Sequence, residues 1–256
     1  MAATFNYRGF DIPVELAHMT GGAEDTFDRI SKDHMRQADE YVGIGLDSSV
    51  VEIGCGIGRD AIPLTERLTA NGRYLGIDVV KPMIDWCQQA ITSKHSNFKF
   101  VHFDVAEKWY NPNGTALLQQ CKIPVPDSSV DIIILHSVFT HMMRQDIAHY
   151  LKEFARILKP SGKVLATFFI VNGDILQHQG PKSYITFYHS LGGGCYVHEL
   201  DKPTHAVAYD EMTVTAMVAD ANLQMARPPI WGIWSGRRSN PGAGQDAVIL
   251  ELARKS

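Results

Sequence analysis

Eleven residues constrain this chain more than any others: Val50-Val51-Glu52-Ile53-Gly54-Cys55-Gly56-Ile57-Gly58-Arg59-Asp60. They read as a short apolar strand, a tight glycine turn, and the start of a helix at Ala61-Ile62 with Pro63 in its first turn, where a missing N–H does no harm. Three glycines at alternate positions leave the backbone bare, so a ligand can lie directly against the main chain. Glu52 stands among apolar neighbours near the strand end. A carboxylate is tolerated there when it pairs or faces a ligand.

The rest of the chain alternates strands and helices around this turn. A helix is expected from about Ala23 to Val42, because Phe27, Ile30, His34, Ala38 and Tyr41 recur at spacings of three and four. Residues 1–22 read as irregular, punctuated by Gly9, Pro13 and Gly21-Gly22. The helix after the glycine turn is expected to stop at Asn71-Gly72. A second strand, Tyr74–Ile77, ends at Asp78, 24 residues after Gly54. That spacing is near the one at which nucleotide folds place an acid on ribose hydroxyls. A helix N-cap is the plainer use of the same aspartate. Lys81-Pro82-Met83 opens the next helix, and a third strand, Phe98–Phe103, leads to Asp104-Val105. His102 and Asp104 share a strand face, but no further ligands stand at useful spacing, so no metal is expected.

Residues 106–129 form a long connector of the kind that is often functional, with Trp109 and Tyr110 as aromatic candidates for stacking on a substrate. The fourth strand, Val130–Leu135, is a continuous apolar run, as in a strand buried on both faces. In open α/β sheets, ligands bind beyond the carboxyl ends of the strands. The tail His136-Ser137-Val138-Phe139-Thr140-His141 is therefore expected in the active crevice. An amphipathic helix follows through Ile147, Tyr150, Leu151, Phe154, Ile157 and Leu158, stopping at Lys159-Pro160-Ser161-Gly162 before a fifth strand, Lys163–Val171. Residues 172–206, rich in glycine, tyrosine and histidine, read as a substrate-facing insertion or lid, with a dimerisation arm as the alternative. Asp210 caps a helix that Asn222 stops, and strands near Gln224–Gly232 and Asp246–Leu252 close the sheet. Arg237 and Arg238, between them, are weighed as readers of an anionic acceptor group and as a solvated turn.

A dinucleotide fingerprint requires G-x-G-x-x-G, and Gly54 and Gly56 fit it, but Arg59 holds the third place. The segment E-I-G-C-G-I-G-R instead resembles motif I of the class I S-adenosylmethionine (SAM) dependent methyltransferases. E-F-A-R-I-L-K-P-S-G-K-V resembles the late segment shared by that class, where its residues do structural work. Ser137–Met142 (S-V-F-T-H-M) and Y-N-P-N-G suggest, less specifically, bacterial enzymes acting on small molecules or glycans. The resemblance implies a Rossmann-like α/β fold: a seven-stranded, mostly parallel sheet with helices on both faces, the last strand antiparallel, and a lid inserted after strand 5. It implies one domain over residues 1–256, with a cap over the pocket from residues 1–45 that brings Tyr41 nearby.

On that resemblance the cofactor is SAM, held by Glu52, Gly54, Cys55, Gly56, Arg59, Asp78, Val79, Met83, Asp104, Val105, His136 and Ser137. Asp78 takes the ribose, Asp104 the adenine amino group, and Glu52 supports the loop or the amino group of the cofactor. His141, with His136 second, is the candidate base for a hydroxyl acceptor, since a hydroxyl loses its proton around the transition state. An amine or activated carbon acceptor needs no base. A silent SAM-binding module and a nicotinamide oxidoreductase are the alternatives. The expected acceptor is a small molecule or glycan. A net charge of −4 argues against nucleic acid as a partner. No apolar run is long enough to cross a membrane, no signal peptide is evident at Met1–Phe5, and four scattered cysteines suit a reduced, cytoplasmic protein.

Overall fold

The computed structural model describes residues 3–107, 110–180, 183–236 and 244–254. The chain divides into two compact units, residues 1–122 with 130–134, and residues 123–129 with 135–256.

The first unit opens with an antiparallel hairpin, β1 (Thr4–Tyr7) and β2 (Phe10–Pro13), in a segment expected to be irregular. Its two-residue turn holds Arg8 and Gly9 at φ of 48° and 81°, the left-handed pair that matches the twist of a hairpin. Helices α1 (Val14–His18) and α2 (Glu24–Tyr41) follow. On α2, Phe27, Ser31, Ala38 and Tyr41 are buried, so the inward face is the expected one, although Ile30 is only half-buried. Strand β3 (Ser49–Ile53) leads into the glycine turn and a helix, α3 (Ala61–Thr65), of one turn. The longer helix expected here, running to Asn71, does not form; turns carry the chain from Glu66 to the next strand. Then come β4 (Arg73–Asp78), α4 (Lys81–Cys87) and β5 (Phe98–His102). Strand β6 (Val130–Leu135) is where the apolar run placed it. Within this unit β3 pairs in parallel with β4 and with β6, and β4 in parallel with β5.

In the second unit, α5 (Arg144–Ile157) buries Ile147, Tyr150, Leu151, Phe154 and Ile157, while Leu158, expected as the end of the same stripe, is buried as the first residue of the next strand. Strand β7 (Leu158–Phe168) takes in Lys159–Gly162 as extended chain rather than a turn, though its ladder to β13 (Asp246–Leu252) spans only Val164–Phe168. Arg156 explains why the E-F-A-R segment is structural. Its guanidinium donates to both Glu153 oxygens at 2.7 and 2.8 Å, to Asp127 Oδ1 at 2.6 Å, and to the carbonyls of Ile123 and Val125. Burial raises the pKa of Glu153, but the Arg156 pairing outweighs it and holds the carboxyl below its ordinary range.

The expected insertion is itself a small sheet. Strands β8 (Ile170–Val171), β9 (His189–Gly192), β10 (Cys195–Val197) and β11 (Val207–Asp210) assemble in the order β8-β11-β10-β9, with α6 (Gly173–His178) between β8 and β9. Helix α7 (Glu211–Asp220) is capped by Asp210, which accepts the Thr213 N–H at 2.7 Å, and ends at left-handed Asn222 (φ 59°). Strand β12 (Leu223–Met225) is shorter than expected, because the chain leaves the ladder before Arg227-Pro228-Pro229. A buried aromatic cluster of Phe169, Phe187 and Trp234 packs with Val171, Ile175 and Ala208. Asp246 ties that cluster down. It is fully buried and accepts the N–H groups of Ile170, Gly232 and the Trp234 indole at 2.7–2.8 Å.

In sheet order the main strands run β12-β13-β7-β6-β3-β4-β5, with β13 antiparallel to both its neighbours. This is the expected seven-stranded, mostly parallel sheet whose last strand is antiparallel. No helix among the described residues is long and apolar enough to cross a membrane.

Candidate functional site

The glycine turn at the end of β3 is built as a backbone surface. Gly54, Gly56 and Gly58 have φ of 73°, 54° and 74°, a left-handed conformation that costs an ordinary residue about 1–2 kcal/mol. Gly54 is exposed although Ile53 and Cys55 on either side are buried, so its peptide is open to a ligand. Its N–H donates to the Ile77 carbonyl at 2.8 Å, fixing the turn to the end of β4.

Asp78 ends β4 half-buried beside this turn. One carboxylate oxygen accepts the Gly56 N–H at 2.7 Å and the other the Val80 N–H at 2.9 Å. Removal from water raises its pKa, and these N–H groups work against that rise. A carboxylate has about four lone-pair sites, so two remain for ligand hydroxyls. The N-cap of α4 is Val80 and carries no side-chain cap bond, so Asp78 is not the helix N-cap; its bond to the Val80 N–H lies just before the helix.

Glu52 is 5% exposed, and its partner is Tyr74 on the neighbouring strand, whose hydroxyl donates to it. Burial raises its pKa well above the ordinary carboxylate range, and the Asp60 charge adds to the rise. The tie of this carboxylate to the sheet through Tyr74 is not signalled by spacing, because the two residues are diagonal neighbours across the β3–β4 ladder.

Arg59 donates through Nη1 to the Thr20 carbonyl at 3.1 Å, and its Nε–H is buried with no hydrogen-bond partner among the described residues. Met83 and Cys55 are buried, and the Met83 sulfur lies 3.8 Å from the point a Cβ on Gly56 would occupy. Val79 gives its carbonyl to His102 Nε2 at 3.0 Å. Asp104 is exposed beyond β5. The Thr115 hydroxyl at 2.7 Å and the Asn111 amide at 3.1 Å hold its carboxylate, lowering its pKa. Val105, buried, bridges to Ala116, so the connector folds back on the strand end. Trp109, Arg237 and Arg238 lie outside the described residues. Tyr110 is exposed, and its N–H is held by Glu107 at 2.7 Å.

The predicted residues Glu52, Gly54, Cys55, Gly56, Arg59, Asp78, Val79, Met83, Asp104 and Val105 all belong to the first unit. An S-adenosyl cofactor fits what they offer: an open glycine peptide, a carboxylate with lone pairs to spare, and a buried guanidinium donor lacking an acceptor among the described residues.

His136, Ser137 and His141 belong to the second unit. Ser137 has a left-handed φ of 56°, unusual for a residue other than glycine, and its N–H donates to the Thr167 hydroxyl at 2.8 Å. Thr167 in turn donates to Gln245 at 2.7 Å. Nothing in the residue spacing signals these two supports. His136 is half-buried, and His141 Nδ1 lies 3.2 Å from the Thr204 carbonyl. A carbonyl only accepts, so Nδ1 carries the proton in this contact. Tyr41 is buried on the inward face of α2.

Residues 51–166 match the methyltransferase domain family. The chain is 26% identical over 129 residues to the tRNA N(3)-cytidine methyltransferase METTL2 of Gallus gallus, covering 50% of this chain and 32% of that protein. It is 25% identical over 130 residues to the demethylmenaquinone methyltransferase of Lactiplantibacillus plantarum, covering 51% and 48%. The chain thus spans a third to a half of the length of these relatives. In fold it is similar to a Burkholderia thailandensis 1,6-didemethyltoxoflavin-N1-methyltransferase solved with S-adenosylhomocysteine, at TM-score 0.55 and 14% identity, covering 94% of this chain and 88% of that one. Over residues 51–166, a little under half of its length, the chain is therefore similar to a methyltransferase domain.

Proposed function

We propose that this chain transfers a methyl group from SAM to a hydroxyl of a small molecule or sugar, with Asp78 holding the ribose, Asp104 the adenine amino group and Arg59 the carboxylate of the cofactor. The observation that carries the cofactor half is the Asp78 carboxylate, oriented by the N–H groups of Gly56 and Val80 beside the exposed Gly54. SAM supplies an activated methyl carbon on a sulfonium, and the protein's share is orientation and electrostatics.

For the acceptor half, the support is His141, which follows β6 and has its Nδ1 directed at the Thr204 carbonyl; it is assigned as the base that takes the proton of an attacking hydroxyl. His136 and Ser137, on the tail leaving β6, are assigned to the methionine side of the cofactor, His136 being the second candidate for the base. The names of two of the similar proteins, a tRNA N(3)-cytidine methyltransferase and an N1-methyltransferase, favour a second reading, a nitrogen acceptor, in which no base is needed. The chain's net charge of −4 weighs against an RNA substrate.

The test begins with calorimetric titration of S-adenosylhomocysteine and of NADH, of which only the first is expected to bind. An acceptor found by screening hydroxylated compounds with labelled methyl donor then allows His141→Ala to be measured. Turnover should fall by about 10²–10⁴-fold, the range of general-base contributions, with S-adenosylhomocysteine affinity kept. Undiminished turnover would remove His141 from the mechanism.

A further inference from the structure

The glycine turn is covered by a part of the chain that lies outside the matched methyltransferase domain. Thr20 closes α1, where its N–H and its hydroxyl both donate to the Ala17 carbonyl, at 3.0 and 2.7 Å. That double bond to one carbonyl fixes the side chain and leaves its methyl group facing the turn. The methyl lies 2.9 Å from the point where a Cβ on Gly56 would stand, so Gly56 and Thr20 are packed against each other with no room between them.

Arg59 holds this arrangement from the other side. Its Nη1 donates to the Thr20 carbonyl at 3.1 Å and reaches the Thr20 hydroxyl at 3.3 Å, while the guanidinium lies over the Phe27 ring, 5.7 Å from its centre. Helix α2 is fastened to the same stretch. The Ser31 hydroxyl donates to the Arg59 carbonyl at 3.1 Å, and His34 Nδ1 lies 2.6 Å from the Asp60 carboxylate. The Arg59 Nε–H, buried and without a hydrogen-bond partner among the described residues, is the second observation. A buried donor of a cationic group left unmet calls for an anionic acceptor, and the cofactor's carboxylate is one.

We propose that Thr20 is a positioning residue for the cofactor. The turn at residues 19–22, clamped by Arg59, closes the cofactor site over Gly56, so cofactor affinity depends on a side chain from outside the methyltransferase domain. This rests on the SAM reading above. The hydroxyl of Thr20 sets the side-chain rotamer through Ala17, and its methyl sets the height of the wall over the glycine peptide.

The experiment is calorimetric titration of S-adenosylhomocysteine into the parent protein, Thr20→Ala and Thr20→Val, with hydrogen exchange of residues 16–23 followed in the parent with and without ligand. Thr20→Ala should bind about ten-fold more weakly, a loss of about 1.4 kcal/mol. Thr20→Val, which keeps a methyl against Gly56, should lie between it and the parent. Exchange across residues 16–23 should slow when ligand is present. If the parent binds but Thr20→Ala matches its affinity and exchange does not change, the proposal is overturned while the SAM reading stands. If the parent does not bind, the SAM reading itself fails. Should Thr20→Ala not fold, the exchange measurement on the parent decides alone: slowing supports the proposal and its absence overturns it.

Discussion

Asp78→Asn separates what this carboxylate does for the fold from what it does for the cofactor. In the unliganded protein each oxygen accepts one backbone N–H, from Gly56 and from Val80. Asparagine offers one oxygen, so one of the two N–H groups is left facing an amide NH2, at a cost of about 1–3 kcal/mol. Against this, removal from water disfavours the Asp78 charge, as its raised pKa shows, and the neutral amide is relieved of that penalty. The two terms oppose each other, and the net loss of stability should be below about 2 kcal/mol. Binding has no such compensation. Two hydroxyls bonding a carboxylate become at most one bonding a neutral amide, and hydrogen bonds to charged groups contribute about 1.5–3 kcal/mol each. Affinity for S-adenosylhomocysteine should therefore fall by about 10–100-fold. Thermal unfolding and isothermal calorimetry on one preparation measure both quantities. A variant that melts well below the parent yet binds S-adenosylhomocysteine within about twofold of it would refute the argument, because Asp78 would then serve the fold alone.

Two further outcomes follow from buried carboxylates. Burial raises the folded-state pKa of Glu52 above its ordinary 4.5, so the folded state holds this proton more tightly than the unfolded chain. The stability it contributes is complete below about 4.5 and is lost as pH rises toward the folded value. Denaturant unfolding across that interval should show the parent losing stability relative to Glu52→Gln, and parallel pH profiles would contradict this. Asp246→Ala leaves the Ile170, Gly232 and Trp234 N–H groups buried without their acceptor. It should cost about 3–5 kcal/mol in chemical denaturation, with altered Trp234 fluorescence; a loss under about 1 kcal/mol would show that these donors find other partners.

Strands β3, β4, β6 and β13 and the stripe on α5 were legible in the sequence because burial on one or both faces writes itself as apolar runs or a regular period. The N-terminal hairpin was hidden for a local reason. Its four-residue strands are joined by Arg8-Gly9, and arginine in a left-handed turn position lacks the usual Asn or Asp signal. The second sheet was hidden because its strands are two to four residues long, too short for alternation to register. The same division holds for the candidate site. Glu52 and Asp78 announce themselves as carboxylates at the ends of apolar strands. Tyr74, Thr20, Thr167 and Gln245 do not, since their importance arises from side chains meeting across 22 to 78 residues of sequence.

The bend at Ser137 also bears on the order in which the protein is made. Its left-handed backbone is held by Thr167, 30 residues later, and the Thr167 hydroxyl is oriented by Gln245, a further 78 residues on. Contacts across such separations form after local ones, because the intervening chain must first be closed into a loop. While the chain emerges from the ribosome, the glycine turn and Asp78 can meet as soon as β3 and β4 are out. The segment after β6 must wait for nearly the whole polypeptide. The part of the site built on β3 and β4 is thus in place well before the bend at Ser137 can be held by Thr167 and Gln245.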